Sequence, residues 1–429
     1  MVSCSGFMDS IFENEPRNKK PKLAKEDEDE NRILIQNQDF NTGSGFDLLP
    51  RDLLLDVLTR LPISSLIRFR FVSRSCYELS HDPELSRLYH PVAARADPIL
   101  VFHCDYPIRN QLYFVGYDGD HSGDNKISVR KLSTPFCGSM PEFNVVGSCN
   151  GLLCLSDSLY GEPVYLFNPF TRNHLELPKC RQFQDQEVVF GFGFHPVTNE
   201  YKVVRIVYYR TKHRLTRNNR SYPRSEVHVL TIGKPNSSSN NSWRCLGKVP
   251  YQLDRQAKEV VVVNGRLHWV SRPGRLGGLP GRTIVSFDLE DERFKLVSKP
   301  VNRSNYHLTV IDDCLAAAVS CGYGKLEIWV MKEYDVKESW TKLFNIHGAY
   351  LAKVVSHDYR IWRKATHGKM VRVLCVLKNG EILMEYRGGN LVKYDPKWKE
   401  FKDVVFHGMP ELFQTTVHVG SLNWTHTPI

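Results

Sequence analysis

No run of apolar residues in this chain approaches the roughly 18 that a membrane-spanning helix needs, so no membrane partner is expected. The opening MVSCSGFMDSIF lacks the charged-then-apolar layout of an export signal. The 11 cysteines contain no Cys-x-x-Cys pair and their number is odd. That argues against a disulfide framework and against the common zinc spacings, and it suits a reducing compartment. A nuclear or cytoplasmic location is the expectation, and the sequons at Asn236 and Asn302 would be chemically idle there. Equally missing are a G-x-S-x-G elbow, an H-E-x-x-H pair and a phosphate-binding G-x-x-x-x-G-K-S/T. Gly191-Phe-Gly193-Phe-His195-Pro196 has no third glycine and no helix start, so it reads as strand and turn. His195, His268 and His307 stand singly near strands, and Cys149 and Cys154 have no base at readable spacing. No catalytic residue, no metal site and no cofactor is expected.

What is present is ordinary globular material: 429 residues, 41% hydrophobic and 24% charged, enough for two or more domains. The formal net charge of +10 points toward acidic partners or nucleic acid. The basic stretches hold few aromatics to stack on bases, Tyr222 being the exception, so nucleic acid is the less expected of the two. Residues 1–45 set Arg17, Lys19, Lys20, Lys22 and Lys25 before an acidic run from Glu26 to Glu30. Such blocks repel themselves and predict a disordered tail. Within it, Lys19-Lys20-Pro21-Lys22 can be read as a nuclear import signal, the plainer reading being a solvated tail. Asn41-Thr-Gly-Ser-Gly45 is a flexible joint.

The stretch from Leu49 to His90 is LPRDLLLDVLTRLPISSLIRFRFVSRSCYELSHDPELSRLYH. Leu53, Leu54, Val57, Leu58 and Leu61 recur at near-helical spacing, with Asp56 and Arg60 at i,i+4 on the polar side. Leu55 falls off that stripe and has no evident place in an internal core. Pro62 stops the helix, and Ser64 or Ser65 can cap a second one, Leu66 to Val72, that is apolar nearly all round. A segment of about forty residues has little core of its own, so the surplus apolar surface predicts a partner protein. The pattern LP-x-D-L-L-x-x-V-L-x-R-L-P-x-x-S-L-x-R-F-R-x-V-S-R, then D-P-E-L, resembles an F-box. The resemblance implies three short helices over residues 46–92 that dock on a Skp-type adaptor carried by a cullin scaffold. It further implies that Leu49, Pro50, Leu53, Leu58, Leu61, Pro62, Leu66 and Val72 form the adaptor-binding and helix-packing surface. Cys76 stands where the family usually has Trp.

From residue 98 to 429 short strands alternate with turns, and the pieces repeat. Asn150-Gly151, Asn264-Gly265 and Asn379-Gly380 each open a hairpin, since Asn-Gly supplies the positive φ angles of a tight turn. An apolar strand follows each: Leu152-Leu-Cys-Leu155, Leu267-His-Trp-Val270, Ile382-Leu-Met384. Each then reaches Phe167-Asn168, Phe287-Asp288 or Tyr394-Asp395, a polar turn and a last short strand. Looser copies run from Val188 to Leu246 and from His307 to Phe344. A repeat of roughly 45 to 60 residues in four strands is the signature of propeller blades. Trp269, Trp329, Trp340 and Trp362 are expected mostly in the core. Ile99 to Phe102, Leu112 to Val115 and Ile127 to Arg130 give only three strands, so Thr415-Thr-Val-His-Val-Gly-Ser-Leu422 is expected to complete the first blade and fasten the ring.

S-C-N-G-L-L-C-L, Y-L-F-N-P-F-T-R-N, E-Y-K-V-V-R-I and W-V-M-K-E-Y-x-V-K-E-S-W resemble the kelch-like F-box-associated domain of plant F-box proteins. The expected architecture is α+β and multidomain: a small three-helix F-box, then an all-β propeller-like domain of about six four-stranded blades. A pair of packed antiparallel sheets is the alternative for the second part. The two resemblances together imply a non-catalytic substrate-recognition subunit of a Skp–cullin–F-box ubiquitin ligase. Its target protein is unidentified. The alternative is a propeller-type regulator that binds nucleic acid or anions and has no ligase role. In the four-stranded pattern the loops between second and third strands share one face. That face would carry Arg210, Lys212, Arg214, Arg217, Arg220, Arg224, Arg272, Arg275 and Arg282, with Lys325 and Arg387 beside them and Asp157 and Glu162 as the acidic exception. Of these, Arg210, Arg214, Arg217, Arg220, Arg272, Arg275 and Arg282 are the candidate contacts to an acidic or phosphorylated target. The plainer alternative is a set of solvated hairpins.

Overall fold

The computed structural model describes residues 49–424 apart from 97, 107–110, 117–128, 137, 139, 141, 159–160, 163, 210–223, 234–241, 254–259, 273–280, 302–304, 323, 349–370 and 387–389. The N-terminal tail with its Lys19–Lys22 cluster, the joint at 41–45, Tyr222, Asn236, Asn302 and Trp362 lie outside the described residues. The chain divides into two compact units, residues 1–54 and 55–429, and of the first only residues 49–54 are described.

Four helices come first, one more than the sequence reading expects: α1 (Arg51–Thr59), α2 (Ile63–Phe69), α3 (Arg74–Ser80) and α4 (Pro83–Ala94). The D-P-E-L string starts the fourth. Asp82 caps it by accepting from the Glu84 N–H, and Pro83 takes the first helical position, where its missing N–H costs nothing. Ser73 caps α3 by accepting from the Cys76 N–H at 3.1 Å. The cap of α2 is Pro62, not Ser64 or Ser65, and no side chain bonds there. That helix also ends at Phe69, so Phe71 and Val72 lie in the following turn, exposed.

The expected apolar stripe of α1 is split between core and surface: Leu58 is buried and Leu54 and Leu61 are half-buried, while Leu55, which falls off the stripe, joins the core. Leu55 is 2% exposed, whereas Leu53 and Val57 are 55% and 56% exposed. Leu55 and Leu58 pack with Ile63, Leu66, Leu85, Tyr89 and Phe170, so one residue of the stripe and one beside it supply the internal core.

The strands form six four-stranded antiparallel sheets. The first draws on β1 (Ile99–Tyr106), β2 (Gln111–Gly116) and β3 (Arg130–Leu132). The second holds β4 (Phe143–Cys149), β5 (Leu152–Asp157), β6 (Val164–Phe167) and β7 (His174–Glu176). The third holds β8 (Glu187–His195), β9 (Glu200–Tyr209), β10 (Arg224–Ile232) and β11 (Arg244–Gly247). The fourth holds β12 (Val261–Val263), β13 (Arg266–Val270), β14 (Ile284–Asp288) and β15 (Phe294–Val297). The fifth holds β16 (Tyr306–Ile311), β17 (Cys314–Gly322), β18 (Lys325–Met331) and β19 (Trp340–His347). The sixth holds β20 (Val371–Val376), β21 (Ile382–Tyr386), β22 (Asn390–Asp395) and β23 (Glu400–Val404). The last strand, β24 (Leu412–His418), pairs antiparallel with β1 from Ile99↔His418 to Tyr106↔Leu412 and completes the first blade. It starts and ends earlier than the 415–422 expected, and β3 lies at 130–132 rather than 127–130.

Neighbouring blades share apolar cores. Trp269, wholly buried, leans from blade four toward blade three and donates to the Phe190 carbonyl at 3.2 Å. A Cβ at Gly191 would sit 2.5 Å from its ring, so only glycine leaves room for the indole. Trp340 is likewise buried between blades four and five, Trp329 is half-buried, and Trp398 is exposed on a turn. The first two Asn-Gly turns have positive φ at both residues, at Asn150 (48°) and Gly151 (84°), and at Asn264 (50°) and Gly265 (67°). The third differs: only Gly380 is positive, and the longer turn is held by Asn379 Oδ1 accepting from the Glu381 N–H.

Candidate functional site

Strand order divides the ring into two faces. Asn-Gly turns join first to second strands, and the turns after Asn168, Asp288 and Asp395 join third to fourth, so both kinds lie on one face. Loops between second and third strands, and the blade-to-blade connections, lie on the other.

The turn face of blades one and two holds the helices. Phe170, in the turn after Asn168, enters the core of α1, α2 and α4, and half-buried Ile99, Phe114 and Leu422 pack against the same cluster. The Phe170 ring meets Phe114 edge-on at 5.6 Å and stacks on His418 at 5.8 Å. The turn itself is built by Asn168, whose Oδ1 accepts from the N–H groups of Phe170 (2.9 Å) and Thr171 (3.1 Å). Its Nδ2 donates to the carbonyls of Ser421 (3.0 Å) and Asn423 (2.8 Å). Residues 419–424 are thus clasped to blade two after β24 ends. Asn423 Nδ2 reaches the Asn150 carbonyl, Ser148 Oγ is bonded to His418 Nδ1 at 2.9 Å, and a Cβ on Gly151 would overlap Ser421. Burial pushes His418 down to about 3.

The predicted adaptor residues split by burial. Leu49, Pro50 and Leu53 are exposed in the first unit, and Pro62 and Val72 are exposed in the second. Leu61 is half-buried. Leu58 and Leu66 are buried in the chain's own core and fall on the helix-packing side of that expectation. Val57, Phe71 and Tyr77 of the second unit are exposed as well. Val57 belongs to the expected stripe, whereas Phe71 was hidden because it and Val72 read as one turn more of helix. Cys76 is buried, with its N–H bonded to the helix cap.

On the loop face, Arg272 stands 3.8 Å from Glu187 of the neighbouring blade, and its N–H donates to the Gln252 carbonyl. Arg282 is half-buried, and Lys325 pairs with Glu327 at 3.1 Å. Lys325, Lys342 and the Trp329 indole hold the Glu327 carboxylate down at about 2, against the opposing effect of its burial. These described cations are therefore partly engaged within the fold. Arg210, Lys212, Arg214, Arg217, Arg220, Arg275 and Arg387 lie outside the described residues, and Arg224, which opens β10, is exposed.

The single histidines serve the fold. His307 Nε2 accepts from the Val373 N–H at 2.9 Å, His268 meets the Tyr334 hydroxyl at 2.7 Å, and His195 Nδ1 accepts from the Thr198 N–H. Burial lowers His268 to about 4. It pushes the Cys149 thiol up to about 12 and the Cys154 thiol further, which suits packing and not nucleophilic attack. Among the described residues no helix is long and apolar enough to cross a membrane.

Comparison with known proteins accounts for both parts. The F-box domain family matches residues 46–88, and the family described as the F-box associated beta propeller domain matches residues 100–426. The chain is similar to the F-box protein At3g07870 of Arabidopsis thaliana, with 47% identity over 426 residues, covering 95% of this chain and 99% of that protein. It is also similar to the F-box protein CPR1 of Arabidopsis thaliana, with 28% identity over 398 residues, covering 87% and 88%.

Proposed function

Because the chain belongs to the plant F-box proteins that carry an F-box-associated β-propeller domain, we propose that it is the substrate-recognition subunit of a Skp–cullin–F-box ubiquitin ligase. Its helices grip a Skp-type adaptor, and through it a cullin, while the propeller holds the target protein. The observation that carries this reading is the apolar surface the helices keep uncovered. Leu49 and Leu53 in one unit, and Val57, Phe71, Val72 and Tyr77 in the other, are exposed and absent from the core of the described residues. The chain does no bond chemistry in this reading. It raises the effective concentration of a target lysine near a ubiquitin-loaded enzyme held elsewhere in the assembly. The nine described cysteines are free thiols, which supports work in the reducing nucleus or cytoplasm. Co-purification tests it: a tagged chain brings down a Skp-type adaptor and a cullin, and the Leu49→Ala, Pro50→Ala double variant loses both while its β-domain stays folded. Failure of the wild-type chain to retain an adaptor refutes the role.

The helices are fastened to the turn face, so the loop face is the one left open for a target. We assign capture to that face, by arginine forks on an acidic or phosphorylated segment. Its support is the run of basic residues without acids from Arg210 to Arg224. Reversing Arg214, Arg217 and Arg220 to Glu should abolish target capture and spare adaptor binding, and wild-type capture should weaken with salt. Full ubiquitination of the target by that triple variant moves the binding site elsewhere.

A further inference from the structure

Blade three holds a group that no sequence spacing reveals. Glu226 and His228 stand two apart on β10 and so face one side of the sheet. Cys245 of β11 is paired directly opposite His228, next to a register shift between Val227 and His228. A carboxylate oxygen, an imidazole nitrogen and the thiol sulfur all lie within 4.8 Å of one another. We propose that Glu226, His228 and Cys245 form a binding site for a divalent metal ion, with zinc as the ion that the mixed sulfur, nitrogen and oxygen donors suit.

The state of His228 points to a ligand. The ring is buried, 6% exposed, yet its Nδ1 has no hydrogen-bond partner among the described residues. Its Nε2 stands 3.5 Å from Glu226 Oε2, too far for a good hydrogen bond. Nε2 is the nitrogen that stands beside Glu226 and would take the ion, and Nδ1 would then carry the ring proton. The 3.5 Å separation is close to the edge of a zinc tetrahedron, about 3.4 Å for bonds near 2.1 Å. Glu226 is already oriented, because the Tyr209 hydroxyl donates to its Oε1 at 2.7 Å. Cys245 is exposed and gives an ion its entry.

Arg205 neighbours His228 on β9 and is fully buried. Its guanidinium is engaged with Cys180 Sγ, the Arg181 carbonyl and Gln186 Oε1. A thiolate and a carboxylate together cancel the two charges of the ion, so Arg205 would face a neutral centre and not a dication. Three protein ligands leave a coordination position for water. The structural gain is local: β11 is held to β10 by only three paired positions, and the ion would cross-link the two at the end where Arg224 opens the strand.

The test uses the full chain, stripped with chelator and kept reduced. Added Co²⁺ should give a thiolate-to-cobalt charge-transfer band that saturates at a single equivalent and is displaced by Zn²⁺. Cys245→Ser should abolish the band, and Glu226→Gln should weaken binding roughly tenfold or more. Zn²⁺ should raise the melting midpoint of the wild type and leave that of Cys245→Ser unmoved. Because Cys245 is exposed, that variant keeps its fold, which its metal-free melt verifies. No band in the wild type, or an undiminished band in Cys245→Ser, overturns the site.

Discussion

Asn168→Asp is the sharpest perturbation this structure offers, because it exchanges one atom for another of nearly equal size. Oδ1 and its two accepted bonds from Phe170 and Thr171 are retained. The Nδ2 group, which donates to the Ser421 and Asn423 carbonyls at 3.0 and 2.8 Å, becomes a second oxygen facing them. The site is wholly buried. Two hydrogen bonds are lost at about 1 kcal/mol each net, and two acceptors are left opposite an anion, so the total cost is about 4 kcal/mol at neutral pH. Protonating the new carboxyl restores a single O–H donor. The deficit should therefore shrink by about half as pH falls, a signature that a simple packing fault would not show. Urea denaturation of wild type and variant at neutral and mildly acidic pH measures both numbers. Limited proteolysis should show release of residues 419–424 before the ring opens. A variant within about 0.5 kcal/mol of wild type at neutral pH refutes the clasp.

Three further outcomes follow from the same geometry. Leu55→Ala should cost about 3 kcal/mol by opening a cavity in the helix core, whereas Leu53→Ala should leave the melt within about 0.5 kcal/mol and weaken adaptor capture in a pull-down; equal melts would undo the assignment of faces. Glu385 accepts from the Thr415 N–H (2.7 Å) and from Arg372 Nη1 (3.2 Å), and Arg372 Nη2 donates to the Thr415 carbonyl (3.0 Å), so this pair grips the closing strand. Glu385→Gln removes the negative charge that both groups bond and should lower the unfolding free energy by about 2 kcal/mol, read by urea denaturation; an unchanged midpoint counts against the grip. His268 and His418, at about 4 and about 3 in the folded chain, bind protons mainly when unfolded. Their effect is nil above about pH 6.5 and grows below it, reaching about 2 kcal/mol for each at pH 5. Stability measured at pH 7.5 and pH 5 should differ accordingly, and a flat profile there would show that the rings are not buried.

The blade count, the turn dipeptides and the closing strand were legible because each depends on local chemistry. Asn-Gly at 150 and 264 has few backbone options, and the Phe-Asn or Phe-Asp step announces an Asx turn at a fixed offset. The exact core face of α1 was not legible: Leu58 packs inside as its period suggests, but so does Leu55, while Leu53 and Val57 are exposed. Two apolar faces compete on nine residues, and the choice is made by Leu85, Tyr89 and Phe170, which the helix cannot know from its own period. The cap of α2 was misread for a related reason: two serines after a proline suggest a cap, but Pro62 already fixes the entry. Leu58 and Leu66 fit a motif that mixes surface and packing positions, and only burial separates them. The Glu226, His228 and Cys245 group is invisible in sequence because His228 and Cys245 meet through strand pairing.

The turn after the third strand shows why near-identical motifs are not interchangeable. In blades two, four and six an Asn or Asp oxygen accepts from the backbone two and three residues on, and the fifth residue of the turn takes positive φ, at Arg172, Glu292 and Lys399. That shared geometry needs one oxygen only, and the second side-chain atom is free to specialise. At Asp288 it is an oxygen that pairs with Arg266 at 2.8 Å, within its own blade. At Asn168 it is a nitrogen that captures the end of the chain. Two residues further on, Phe170 enters the core of the helices. One turn of blade two thus serves ring closure and the docking of the helices at once. The proposed ligase assembly would gain from this, because effective concentration falls as the connection between two bound partners lengthens and loosens. Helices bolted to the ring hold the loop face at a fixed bearing.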